Sequence, residues 1–205
     1  MPVFYKNRLN QHCEIIIWKI EEDEAFFTRF VQATSNIANT QKRLQHLAGR
    51  YSLIQLQLDF PLNDIVILNS KKPVLNSGKY HFSISHCKNL AAAIIHNQAN
   101  VGIDIEYHTP KTNKVQHKFV NEHETTLLQN LPEIFPTIFW STKESMFKWL
   151  NDTGVDFREH LLIRKVIPIT ANTGTIEVTY NRAVQTHAII HYIYWNDFVL
   201  TYTIQ

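Results

Sequence analysis

Apolar residues crowd the stretch Cys13 to Ile20 (CEIIIWKI), a short β-branched block that predicts a buried strand. The acidic run Glu21-Glu22-Asp23-Glu24 then suits the first turn of a helix, expected to reach about Ala33 with Phe26, Phe27 and Phe30 on its apolar side. A polar connector, Thr34 to Thr40, leads to a second helix over about Gln41 to Leu58. There Leu44, Leu47, Tyr51, Ile54 and Leu58 recur at three- and four-residue intervals, which marks one buried face. Pro61 breaks the pattern, and a short strand is expected at Ile65 to Leu68. Tyr80 to Ser85 and Leu90 to His96 are strand-like runs separated by His86-Cys87-Lys88-Asn89, the spacing of a hairpin.

A further strand is expected at Val101-Gly102-Ile103-Asp104-Ile105-Glu106, after the turn Asn97 to Asn100. A helical region from about Lys114 to Leu131 ends before Pro132. The next helix, Glu133 to Asn151, turns Phe135, Phe139, Met146 and Leu150 inward and finds a terminating glycine at Gly154. The remainder is β: Leu162 to Ile167, Thr175 to Tyr180, Thr186 to Trp195, and Phe198 to Ile204 around an Asn196-Asp197 turn. Each half therefore runs strand, helices, antiparallel strands. The pattern predicts an α+β protein of two pseudo-equivalent α/β halves, residues 1–100 and 101–205, each a mostly antiparallel sheet packed with helices. A ligand site is expected at their interface, beside the acidic strand.

Composition narrows the function classes. Among 205 residues, 44% are hydrophobic and 19% charged, as in an ordinary globular protein, and a formal charge of +2 gives no reason to expect a nucleic-acid partner. Cys13 and Cys87 lack metal or disulfide spacing, which points to a reducing, cytoplasmic setting. The polar stretch Met1 to Asn10 has no apolar block of a signal peptide, and no run is long enough to span a membrane.

The chemistry concentrates in two stretches. Along a strand alternate side chains share a face, so Asp104 and Glu106 point the same way while Ile103 and Ile105 face the core. Two adjacent carboxylates repel unless a cation lies between them, and an oxygen-rich acidic cluster suits Mg²⁺ with waters and phosphates. In the helix holding Trp140-Ser141-Thr142-Lys143-Glu144-Ser145-Met146-Phe147-Lys148, the four-residue spacing puts Trp140, Glu144 and Lys148 on one stripe. Facing the strand, that stripe would add a third carboxylate, with Lys143 or Lys148 as a cation beside the metal. Such a cluster would bind a pyrophosphate. Taken alone, an Asp-x-Glu pair is more often solvated on an edge strand, and a Lys-Glu-x-x-x-Lys run is usually a salt-bridged helix face.

Gly102-Ile103-Asp104-x-Glu106 followed by Trp140-Ser141-x-Lys143-Glu144-Ser145-x-x-Lys148, and preceded by Phe82-Ser83-Ile84-Ser85-His86, resembles the 4′-phosphopantetheinyl transferase superfamily. The third position, Glu106, and the two halves in one chain resemble its surfactin-synthetase-activating branch. Lys72-Pro73 and the helix opening Arg43-Leu-x-x-Leu-Ala-Gly extend the match. The resemblance implies transfer of the phosphopantetheine arm of coenzyme A to a serine of an acyl, peptidyl or aryl carrier protein, with release of adenosine 3′,5′-bisphosphate. It implies that Asp104, Glu106 and Glu144 hold Mg²⁺ against the coenzyme A pyrophosphate. Lys148, with Lys143 beside it, would neutralise or protonate the departing phosphate. His86 and Arg43 would contact the 3′-phosphate, and Lys72, Pro73 and Ser85 would line the nucleotide end. A bound water or Glu144 would take the serine proton. Cys87 departs from the family, standing where many relatives carry a second serine, and Glu124 is in register with a family acidic residue. With two halves in one chain, a monomer is expected. Two other readings use the same residues: a non-catalytic coenzyme A or nucleotide-binding module, and a metal-dependent phosphohydrolase.

Overall fold

The computed structural model describes residues 2–32, 37–182 and 184–205. The chain divides into two compact units, Met1–Val101 and Gly102–Gln205.

In the first unit, strands β1 (Val3–Asn10) and β2 (Cys13–Lys19) form a hairpin. The short helix α1 (Glu24–Phe27) and the long helix α2 (Thr40–Leu56) follow, then a small hairpin of β3 (Ile65–Ile67) and β4 (Pro73–Leu75). Strands β5 (His81–Cys87) and β6 (Leu90–His96) complete an antiparallel sheet of order β1-β2-β6-β5. Helix α2 packs on β6, β2 and β5, burying Leu47, Tyr51 and Leu53 against Ile16, Trp18, Phe82, Ala91 and Ala93. Helix α2 begins where Asn39 accepts the Lys42 N–H through its side chain, the usual way to satisfy an orphan donor of the first turn.

The second unit holds β7 (Val101–Tyr107), short helices α3 (Pro110–Val115) and α4 (Glu122–Leu128), and the central helix α5 (Phe135–Trp149). Four strands follow: β8 (Leu161–Pro168), β9 (Thr173–Tyr180), β10 (Thr186–Tyr194) and β11 (Phe198–Ile204). The sheet order is β7-β11-β10-β9-β8, so the last strand of the chain lies between β7 and the β8–β10 meander. Helix α5 packs chiefly on β11 and β10, with Ile138, Phe139 and Met146 fully buried among Ile163, Ile176, Val178, Ile190 and Val199. Antiparallel sheets packed with helices in both units make this an α+β fold. No helix among the described residues is long and apolar enough to cross a membrane.

Several boundaries differ from expectation. The stretch 3–10, read as merely polar, is an edge strand whose side chains are mostly exposed, so it carries no apolar alternation to reveal it. The helix expected from Glu21 closes after Phe27. Its expected end at Ala33 and part of the connector from Thr34 lie outside the described residues. Leu58 lies past the end of α2 and is 89% exposed rather than core. The region from Lys114 to Leu131 is not one helix. Asn121 starts α4 afresh with a capping box, its side chain accepting the Glu124 N–H while Glu124 accepts the Asn121 N–H.

Candidate active site

Strand β7 is buried from Val101 to Ile105, and its two faces differ in chemistry. Ile103 and Ile105 are fully buried on one face, while Gly102, Asp104 and Glu106 line the other and meet α5. The strand and helix run in opposite directions. Gly102 therefore lies against Ser145 and Trp149, Asp104 against Ser141 and Lys148, and Glu106 against Trp140.

Glycine at position 102 permits that approach. A Cβ built there would lie 2.0 Å from the Ser145 carbonyl oxygen and 2.9 Å from the Trp149 nitrogen, both backbone atoms that no rotamer change can move. Gly102→Ala should therefore force α5 away from β7 and cost at least the ~1–3 kcal/mol typical of overpacking. Denaturant melts would read this as a lower midpoint; an unchanged midpoint would mean that helix and strand are not held this closely.

Asp104 is 3% exposed and both its oxygens are engaged. Lys148 Nζ donates to Oδ1 at 2.6 Å and Ser141 Oγ donates to Oδ2 at 2.8 Å. Thr201 Oγ1 of β11 donates to the Ser141 carbonyl at 2.8 Å, which ties this turn of the helix to the neighbouring strand. Trp140 Nε1 donates to Glu106 Oε1 at 3.3 Å, so Trp140 orients a carboxylate as well as packing on Phe119 and Phe157. Burial, followed by the Asp104 charge, pushes the Glu106 carboxyl up to about 7. The same two causes in the same order push Glu144 up to about 7, while Lys148 opposes both shifts. Asp104, Glu106, Glu144 and Lys148 thus share one electrostatic neighbourhood.

Lys143 does not join them. One position along the helix from Glu144 turns its side chain about 100° away, and it is fully buried. Its ammonium donates to Phe119 O at 2.6 Å, Glu124 Oε2 at 2.8 Å and Phe157 O at 2.9 Å, so all three protons are used. Glu124, also fully buried, accepts the Ile163 N–H at 2.7 Å on Oε1 and the Asn121 N–H at 3.1 Å on Oε2. The expectation that Lys143 stands beside Lys148 is corrected: it ties α5 to α4, β8 and two loops.

Among the described residues no group of three Asp, Glu, His or Cys side chains is drawn together round a single metal position. The donor chemistry nevertheless fits a hard divalent cation: three carboxylates, two of them made poor anions by burial and mutual repulsion, with Lys148 as the cation in contact. The raised carboxyls have a stability consequence. A carboxyl whose folded pKa lies above its unfolded value near 4.5 stabilises the native state only while protonated there, and that stabilisation is lost as pH rises through about 7. Glu106→Gln, which removes the charge, should raise the unfolding temperature at pH 8 and leave it nearly unchanged at pH 5. Equal shifts at both pH values would contradict the assignment.

In the first unit the predicted residues separate into two places. Arg43 is spent internally: its guanidinium pairs with Glu24 at 2.9 Å and donates to the Ile37 and Ala38 carbonyls at 2.7 and 2.9 Å. It thereby holds α1 and the chain before α2 to the start of α2. His86 is exposed on β5, next to the buried Ser85. It faces His46 of α2, whose Nδ1 lies 3.1 Å from Arg50 Nη1. Burial, then the Arg50 and His86 charges, pushes His46 down to about 4. Lys72 precedes β4, which opens at Pro73 and contacts β5; burial lowers its ammonium to about 8. The sequence reading missed His46 and Arg50. Their four-residue spacing on a helix already facing the Ser-His strand was the available clue.

These residues can be set beside known proteins. Residues 100–203 match the family model described as the 4′-phosphopantetheinyl transferase superfamily. The curated relatives matched include enterobactin synthase component D of Salmonella typhi and of Salmonella typhimurium (strain LT2), each 30% identical over 122 residues, 56% of this chain and 51% of the relative. The chain therefore spans about half the length of these relatives. The family match takes in β7, α5 and all four following strands, including Asp104, Glu106, Glu144 and Lys148. On that match, the chain belongs to the 4′-phosphopantetheinyl transferase superfamily.

Proposed function

We propose that this protein is a Mg²⁺-dependent 4′-phosphopantetheinyl transferase, moving the phosphopantetheine arm of coenzyme A to a serine of an apo carrier protein and releasing adenosine 3′,5′-bisphosphate. The observation that carries the reading is the buried Asp104 carboxylate, fixed by Lys148 and Ser141 beside two carboxyls that burial and repulsion lift to about 7. That arrangement is set up to accept positive charge. Asp104, Glu106 and Glu144 would hold Mg²⁺, which when bound supplies charge neutralisation at the phosphate oxygens. Lys72, Pro73, Ser85 and His86 would take the nucleotide end, with His46 added to the set predicted from sequence.

In the reaction, the carrier serine Oγ forms a bond to the phosphorus bearing the pantetheine arm, and the bridging phosphate P–O bond breaks. Glu144, whose carboxyl is lifted to about 7, or a bound water would take the serine proton. The Lys148 ammonium stays with the departing bisphosphate and offsets its charge. The acid at the third position, Glu106, and the two units in one chain support assignment to the surfactin-synthetase-activating branch, with one chain as the working unit in the cytoplasm. Incubation with coenzyme A, Mg²⁺ and a panel of apo carrier proteins should add the mass of one phosphopantetheine arm to a carrier. Hydrolysis of coenzyme A at the same rate without any carrier would instead indicate a phosphohydrolase.

A further inference from the structure

The first unit contains a cavity of about 340 Å³ on the far end of α2, lined in part by Val31, Arg50, Ile54, Leu58, Phe60 and Leu62. Its size falls at the lower end of the roughly 300–1,000 Å³ range of small-molecule pockets. Its wall mixes polar and apolar surface, the apolar part coming from Val31 and Phe60, which are core residues, and from Ile54 and Leu62, which pack against that core. Two large apolar side chains stay in water at the rim, Phe30 at 51% and Leu58 at 89% exposure.

Arg50 supplies the only full charge among the described lining residues. A half-buried guanidinium normally has a carboxylate in contact, because desolvating a charge without compensation is costly. Among the described residues Arg50 has none. Its one hydrogen-bond partner is His46 Nδ1 at 3.1 Å, a neutral acceptor that occupies one of five N–H donors. The rest of the planar fork is unclaimed, and its geometry matches a carboxylate. A phosphate would ask for more donors than this wall holds, since no lysine, histidine or second arginine lines the cavity among the described residues.

We propose that this cavity is a binding site for a small apolar carboxylate, its alkyl part against Val31, Ile54, Phe60 and Leu62 and its carboxylate on the Arg50 guanidinium. The site is separate from the residues assigned to coenzyme A, apart from the contact through His46. Occupancy would hold Arg50, and through it the His46 ring that faces His86.

The probe pair is hexanoate and its neutral isostere hexanamide, titrated into ¹⁵N-labelled full-length protein. Hexanoate should give saturable shifts in the amides of residues 50–58, 60, 62 and 63, at an affinity at least about tenfold better than hexanamide, the order of one charge-assisted hydrogen bond. Arg50→Gln should abolish the preference for the acid. Leu58→Glu, at a position too exposed to affect folding, should weaken hexanoate severalfold and leave hexanamide alone. Equal binding of acid and amide, or no saturable shift at all, would overturn the proposal. So would displacement of hexanoate by adenosine 3′,5′-bisphosphate together with weaker nucleotide binding by Arg50→Gln, because the guanidinium would then belong to the nucleotide site.

Discussion

Asp104→Asn should lower kcat/KM for carrier modification by about 10²–10³-fold or more, the loss seen when one preorganised electrostatic contact is removed from a reacting centre. The substitution keeps the size and shape of the side chain, so the Ser141 hydroxyl can still donate to the remaining carbonyl oxygen. What disappears is the negative charge that Lys148 Nζ meets at 2.6 Å. The same charge helps to lift Glu106 and Glu144, so both carboxyls should titrate lower in the variant, and the acid limb of its residual activity should move to lower pH. Circular dichroism and denaturant melts establish that the variant is folded; rates at saturating and limiting Mg²⁺ separate loss of metal affinity from loss of turnover. Ser141→Ala removes one charge-assisted hydrogen bond to the same carboxylate and leaves its charge in place. Its effect should stay near the ~1.5–3 kcal/mol of such a contact, below that of Asp104→Asn. If Asp104→Asn retained activity within a few-fold of the parent, the site would have to lie elsewhere.

How much of this was legible in the sequence depends on whether a residue's partner is local. The strands Cys13 to Ile20, Leu90 to His96 and Val101 to Glu106 announce themselves because burial leaves long apolar runs. The edge strand β1 does not, since an edge strand can be almost wholly polar and still pair. Asp104, Glu106, Glu144 and Lys148 are grouped by two periodicities, two along the strand and four along the helix. Lys143 shows where that method stops. It is a basic residue in a matching motif, yet its ammonium is held by Glu124, an acid 19 residues away in sequence that no spacing rule connects to it; Arg43 likewise pairs with Glu24, 19 residues before it. His46 and Arg50 were missed for a related reason: the apolar stripe of α2 drew the reading to one face, and the polar residues on the other gained meaning only when β5 came alongside.

Lys143→Met should destabilise the protein by about 3–5 kcal/mol, the usual cost of leaving one member of a buried ion pair uncompensated. Glu124 would then be a fully buried carboxylate held only by the Ile163 and Asn121 N–H groups, and the Phe119 and Phe157 carbonyls would lose their shared donor. Glu124→Leu should cost a similar amount by stranding the ammonium. The double variant Lys143→Met/Glu124→Leu should recover a large part of the summed loss, because no charge remains to be solvated. It should not recover all of it: four backbone groups that the pair satisfies would still be without partners inside the core, each costing on the order of 1–3 kcal/mol. Urea melts of the four proteins give the coupling energy directly. Strictly additive losses would mean the pair is not coupled in solution. Because neither group is reached by solvent, the parent's stability should also change little as salt is raised, unlike that of an exposed pair. The same measurement bears on the chemistry one residue away. Lys143 anchors the turn of α5 that presents Glu144 to Asp104, so a loss of activity in the double variant, once stability is restored, would show that the clamp sets the position of the carboxylate proposed to act as base as well as holding the unit together.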